Sequence, residues 1–128
     1  MQYEYFYGAQ AEQFSFYRIP KALFTEPNFR ELSTDAKVLY GILLDRMSLS
    51  LKNQWLDAQN KVYIIFTVEE IMDALNCANQ KATRLMVELE KQAGLIERKR
   101  QGLGRPNLIY VKNFAATIND KSCEKGES

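Results

Sequence analysis

Between Thr67 and Gly94 the chain carries two helical patterns separated by a break of only four residues. Thr67-Val68-Glu69-Glu70 has the form of a capping box. Thr67 at the N-cap satisfies a free backbone N–H, and Glu70 three residues on reaches back to the cap. Val68, Ile71, Met72 and Leu75 then fall on one face, as a helix packed on a core requires. The pattern stops at Asn76-Cys77-Ala78-Asn79. A second helix is predicted from about Asn79 to Ala93, with Ala82, Leu85, Met86, Leu89 and Ala93 inward. At about 100° per residue, Gln80, Arg84, Val87 and Lys91 centre the opposite face. Lys81, Thr83 and Glu88 flank it, and Gly94 ends the helix as a C′ glycine would. So short a turn leaves the polar face of the second helix outward.

The flanking segments complete the pattern. Upstream, Ser33-Thr34-Asp35 can cap a helix and favour its positive end. Ala36, Leu39, Tyr40, Leu43, Leu44 and Met47 form its apolar stripe, and it is expected to end near Ser48. Leu49 to Gln59 reads as a loop in which Trp55 pins the chain to the core through a bonded indole N–H. Val62 to Phe66 is β-branched and aromatic, as a strand would be. Downstream, Leu95 to Arg100 and Asn107 to Val111 read as two strands joined by Gln101-Gly102-Leu103-Gly104-Arg105-Pro106. The order is helix, strand, helix, turn, helix, hairpin. The predicted fold is therefore α+β, mostly α. It is a winged helix-turn-helix with an N-terminal aromatic arm and a three-stranded antiparallel sheet. Residues 1–31 are assigned to the arm, 32–114 to the domain, and 115–128 to a polar tail or linker start.

Residues 3–24 hold eight of the fifteen aromatic residues: Tyr3, Tyr5, Phe6, Tyr7, Phe14, Phe16, Tyr17 and Phe24. Two readings stand: an arm packed on its own domain, or a subunit interface, since exposed aromatic patches mark contacts.

Composition excludes several chemistries. The 128 residues contain no histidine, which removes His-based triads and His-ligated metals. Cys77 and Cys123 alone cannot build a zinc site or a disulfide framework. Both fit a reducing cytoplasm. Glu69-Glu70 is explained by capping and the helix dipole. Gly102-x-Gly104 precedes a strand and lacks the spacing of a phosphate loop. No enzyme, cofactor or metal is expected, and no apolar run is long enough to span a membrane.

Charge is informative only when resolved along the chain. The net charge is +1, yet residues 79–112 carry +5 and residues 1–78 carry −3. Asn79, Gln80, Lys81, Thr83 and Arg84 on the second helix are the residue types that read base edges or hold phosphates. Arg98, Lys99, Arg100 and Arg105 gather on the hairpin. A helix fits the major groove of B-DNA, about 12 Å wide. A basic hairpin beside it would meet an adjacent minor groove or the phosphates. Six to eight such contacts predict a log–log salt slope of about −5 to −7. The expected partner is double-stranded DNA. The rivals are a repressor of the same fold and a winged helix used for protein contacts, which would lack steep salt dependence.

Longer stretches resemble a known family. Phe16 to Phe24 (F-Y-R-I-P-K-A-L-F), Leu32 to Ser50, Lys52 to Trp55, Val62 to Ile71 and Gly94 to Phe114 resemble the N-terminal domain of the replication initiator A proteins of plasmids and related mobile elements. The likeness spans about residues 14–114. It implies binding to repeated origin sequences, action as a homodimer, and contact with host replication proteins through a separate C-terminal domain beyond a linker.

Overall fold

The structure, a computed structural model, describes residues 2–8 and 14–114. After Pro20 comes a single helical turn, α1 (Ala22–Thr25), and then a 3-10 turn at Pro27–Phe29. These two turns place Leu23 and Phe29 in the core, both buried. The core thus reaches into the segment assigned to the arm.

Ser33 caps the long helix α2 (Thr34–Lys52), its hydroxyl accepting from the Ala36 N–H at 3.2 Å. The expected end at Ser48 is one turn short. Leu49 to Lys52 are acceptable helix formers with no glycine or proline among them. The Asn53 N–H closes the helix on the Leu49 carbonyl, and Gln54 then adopts a left-handed conformation. Ala36, Leu39, Tyr40 and Leu43 are buried along α2 as the stripe requires. Burial pushes the Tyr40 phenol up to about 12. Its hydroxyl donates to the Lys112 carbonyl at 2.8 Å, and Phe114 packs against both Tyr40 and Phe29.

The capping box forms as read. The Glu70 N–H reaches the Thr67 hydroxyl, the Thr67 N–H reaches the Glu70 carboxylate, and α3 (Val68–Leu75) follows. Asn76 in the left-handed region terminates α3, a conformation that asparagine tolerates. Then α4 (Asn79–Val87) begins, and a π-helical turn continues it over Glu88–Gln92. Antiparallel strands β1 (Ile96–Lys99) and β2 (Leu108–Val111) form the hairpin.

Among the described residues the sheet has two strands, not three. Of Val62 to Phe66, only Ile64 pairs with β2, through reciprocal 2.9 Å hydrogen bonds with Ile109. Val62 is already bridged to Leu56, and Thr67 is committed to capping α3. One residue is left to reach the sheet. Trp55 also departs from expectation: it lies on the surface, stacked on Tyr63 at 6.1 Å, rather than in the core. Its own backbone bends back with Tyr63, so the indole finds a partner locally.

Tyr3, Tyr5, Phe6, Tyr7, Phe14, Phe16 and Tyr17 are all exposed. Phe14 meets both Phe6 and Phe16 edge to face, and all three keep half or more of their surface exposed. The tail at 115–128, including Cys123, lies outside the described residues. Among the described residues, no helix is long and apolar enough to cross a membrane.

Candidate nucleic-acid interface

Helix α4 buries Ala82, Leu85 and Met86. The same rotation turns Asn79, Gln80, Thr83 and Arg84 to solvent. Its N-cap, Ala78, supplies no side-chain acceptor, so the first backbone N–H groups of α4 lack a side-chain cap. Lys81 sits at the edge of this face, half-buried, with its ammonium 2.7 Å from Asp35 at the start of α2.

Two carboxylates of the π-helical turn are engaged by other parts of the chain. Glu88 accepts from both the N–H and the hydroxyl of Ser33, joining the end of the α4 unit to the start of α2. It is thereby removed from the exposed face on which the sequence places it. Glu90 grips Arg98 with contacts of 3.0 and 2.8 Å from Nε and Nη2. Burial alone would raise the Glu90 carboxyl. The hydrogen bonds and charge of Arg98 together outweigh it and hold the group below the usual carboxylate range.

Strand alternation explains the inward turn of Arg98. Successive side chains on a strand point to opposite faces. Ile96 is buried, so Arg98 shares the inner face, while Glu97 and Lys99 point outward. Lys99, Arg100 and Arg105 are exposed. Among the described residues none of these three, nor Arg84, forms an ion pair. The candidates thus separate. Asn79, Gln80, Thr83 and Arg84 share the open face of α4. Lys99, Arg100 and Arg105 share the hairpin. Lys81 and Arg98 are engaged by carboxylates.

The base of the hairpin lies against the helix pair. A cleft of about 280 Å³ is lined by Thr67 and Val68 at the start of α3, by Met86 of α4, and by Arg98, Arg105 and Pro106. On the far edge of β2, the Tyr110 hydroxyl donates to Asp57 at 3.0 Å. The Lys61 N–H, outweighing the cost of desolvation, holds that carboxyl below its usual value. This bond ties the 57–61 turn to the sheet.

One contribution was not read from the sequence. Arg46 pairs with Glu70 at 3.0 Å and lies over the Phe66 ring at 4.8 Å, locking the capping box of α3 to α2. The 24-residue separation of Arg46 and Glu70 gives no local signal. Among the described residues no group of three or more His, Cys, Asp or Glu side chains could hold a metal.

Known proteins share this arrangement. A solved structure described as the N-terminal domain of a DNA binding protein superposes with a TM-score of 0.71 at 39% identity, covering 88% of this chain and 85% of that one. A Rep-DNA complex matches with the same TM-score and identity, over 86% and 84%. A structure described as an MDR initiator matches at TM-score 0.68 and 40% identity, over 86% of each chain. A 41 kDa protein of Lactobacillus helveticus is 32% identical over 103 residues, which are 80% of this chain and 28% of that protein. The chain therefore spans well under half the length of that relative. Residues 15–125 match the family described as the replication initiator protein A (RepA) N-terminus, and with most of its length inside that match the chain belongs to this family.

Proposed function

We propose that the domain is a winged helix that binds double-stranded DNA with sequence preference, marking repeated origin sequences for replication in the cytoplasm. The observation that carries this reading is the pairing of two surfaces. One is the open face of α4, with Asn79, Gln80, Thr83 and Arg84. The other is the hairpin with Lys99, Arg100 and Arg105, whose base abuts the same helix pair. The relative described as a Rep-DNA complex supports it. Asn and Gln suit adenine, and Arg suits guanine. The uncapped start of α4 favours a phosphate. Arg98 is a positioning residue in this scheme: its bond to Glu90 fixes the hairpin against the helix unit. Lys81 can exchange Asp35 for a phosphate.

The domain acts by binding, without a catalytic group, cofactor or metal. A second copy docks on the exposed aromatic surface of Phe14, Phe16 and Tyr17, giving the homodimer. Contacts with host replication proteins belong to a further domain, in keeping with the greater length of the L. helveticus relative.

The experiment is selection of duplexes from a randomised pool by the full chain, followed by binding of the enriched duplex across salt concentrations. With Arg98 engaged by Glu90, four to five phosphate contacts per protomer predict a log–log slope of about −4. A pool that remains unenriched, with binding insensitive to salt, would reject the reading.

A further inference from the structure

We propose that Leu103, at the tip of the hairpin, is an apolar wedge that enters the DNA minor groove beside the segment read by α4. This rests on the DNA-binding function above and names a contact made by that surface. Leu103 is 106% exposed, more than any other large hydrophobic residue described. It stands between Gly102 and Gly104, whose φ angles are +117° and +80°. A Cβ added to either glycine would meet nothing within 4 Å. The tip is therefore one side chain wide, with bare backbone on each side.

The loop holds that side chain out. The Gln101 side-chain amide donates to the Pro106 carbonyl at 2.8 Å, and the Arg105 N–H donates to the Gly102 carbonyl at 3.3 Å. Turn tips that face water favour polar residues, so a leucine here asks for an apolar counterpart. Charge selects which one. Lys99, Arg100 and Arg105 surround the tip, and a polyanion is their complement. The minor groove of a duplex joins both properties: phosphates along its rims, and sugar C–H groups and stacked base edges within. It is about 6 Å wide, enough for one side chain flanked by glycine backbone. Leucine is among the residues that wedge between base steps from this groove and partly unstack them.

The test uses the full chain and the duplex enriched by selection, with its adenines replaced one at a time by 2-aminopurine, whose emission rises on unstacking. Wild-type protein is expected to raise emission roughly twofold or more at a step outside the run protected by α4. Leu103→Ala should abolish that rise and weaken binding about tenfold. Leu103→Met should retain both. Unchanged urea midpoints would show that the variants fold. If wild type binds but no step brightens, or if the signal persists in Leu103→Ala, the wedge is wrong while DNA binding stands. If no duplex is enriched and wild type shows no salt-dependent binding, both fall together.

Discussion

The inner face of β1 and the tip of the hairpin it feeds both carry cations, and the two regions use them in opposite ways. The Arg98 side chain is three-quarters buried and donates two hydrogen bonds to Glu90. Lys99, Arg100 and Arg105, a few residues away, are exposed and lack a carboxylate partner among the described residues. Composition does not distinguish the regions; a carboxylate within reach does. The π-helical turn brings Glu88 and Glu90 to Ser33 and Arg98. Among the described residues no carboxylate pairs with the cations of the hairpin tip, so their charge stays available.

Comparing interior bracing with open rim leads to graded expectations. The largest effect should come from Leu89→Ala, which hollows the core beneath the π-helical turn. It is expected to cost about 3 kcal/mol, read as a shift of the urea unfolding midpoint. A loss no greater than that of Lys99→Ala would break the comparison at its root. Arg98→Ala should cost about 2 kcal/mol in stability, because it strands a partly buried carboxylate. The salt slope of DNA binding should stay almost unchanged. A slope shallower by one, with stability intact, would return Arg98 to the phosphate-binding set.

On the open side the readout changes from unfolding to binding. Arg84→Ala should weaken the selected duplex by about 1.5 kcal/mol while moving stability by under about 0.5 kcal/mol. Equal losses on selected and scrambled duplexes would make Arg84 a phosphate contact. Replacing Lys99 and Arg100 together by alanine should make the salt slope shallower by about two and weaken all sequences alike. A loss confined to one sequence would contradict that role.

The smallest expected effect is in pH. The Glu90 carboxyl is depressed in the folded state from an ordinary value of 4.5. Its pairing therefore contributes fully above that value and is lost as pH falls through the lower folded one. The stability gap between wild type and Arg98→Ala should be full near pH 7 and narrow as pH falls toward and through 4.5. A constant gap down to pH 3, measured by urea unfolding, would show that Arg98 acts by packing alone.

Much of this was legible beforehand. The capping box of Thr67 and Glu70, the stripe of α2 and the two faces of α4 are local patterns, and local hydrogen bonds or periodicity enforce them. Arg98 was also legible: Ile96 is apolar, and two residues further on the side chain must share its face. Reading the basic run as one patch ignored that alternation. The third strand could not be judged from Val62 to Phe66 alone. Their β-propensity is real, but the bridge to Leu56 and the cap at Thr67 compete for the same short segment. Trp55 was misplaced because a large aromatic can find its cover locally, on Tyr63, instead of in the core.

The amino-acid order by itself determined the helices, their buried faces, the hairpin and the concentration of positive charge over residues 79–112, because each depends on neighbours within a turn or a strand. The tertiary structure alone decided which carboxylate each engaged cation meets. Lys81 meets Asp35 only once α4 packs on α2, and Arg98 meets Glu90 only once the hairpin lies against the π-helical turn. Coulomb attraction and desolvation depend on distance in space, which spacing along the chain does not set.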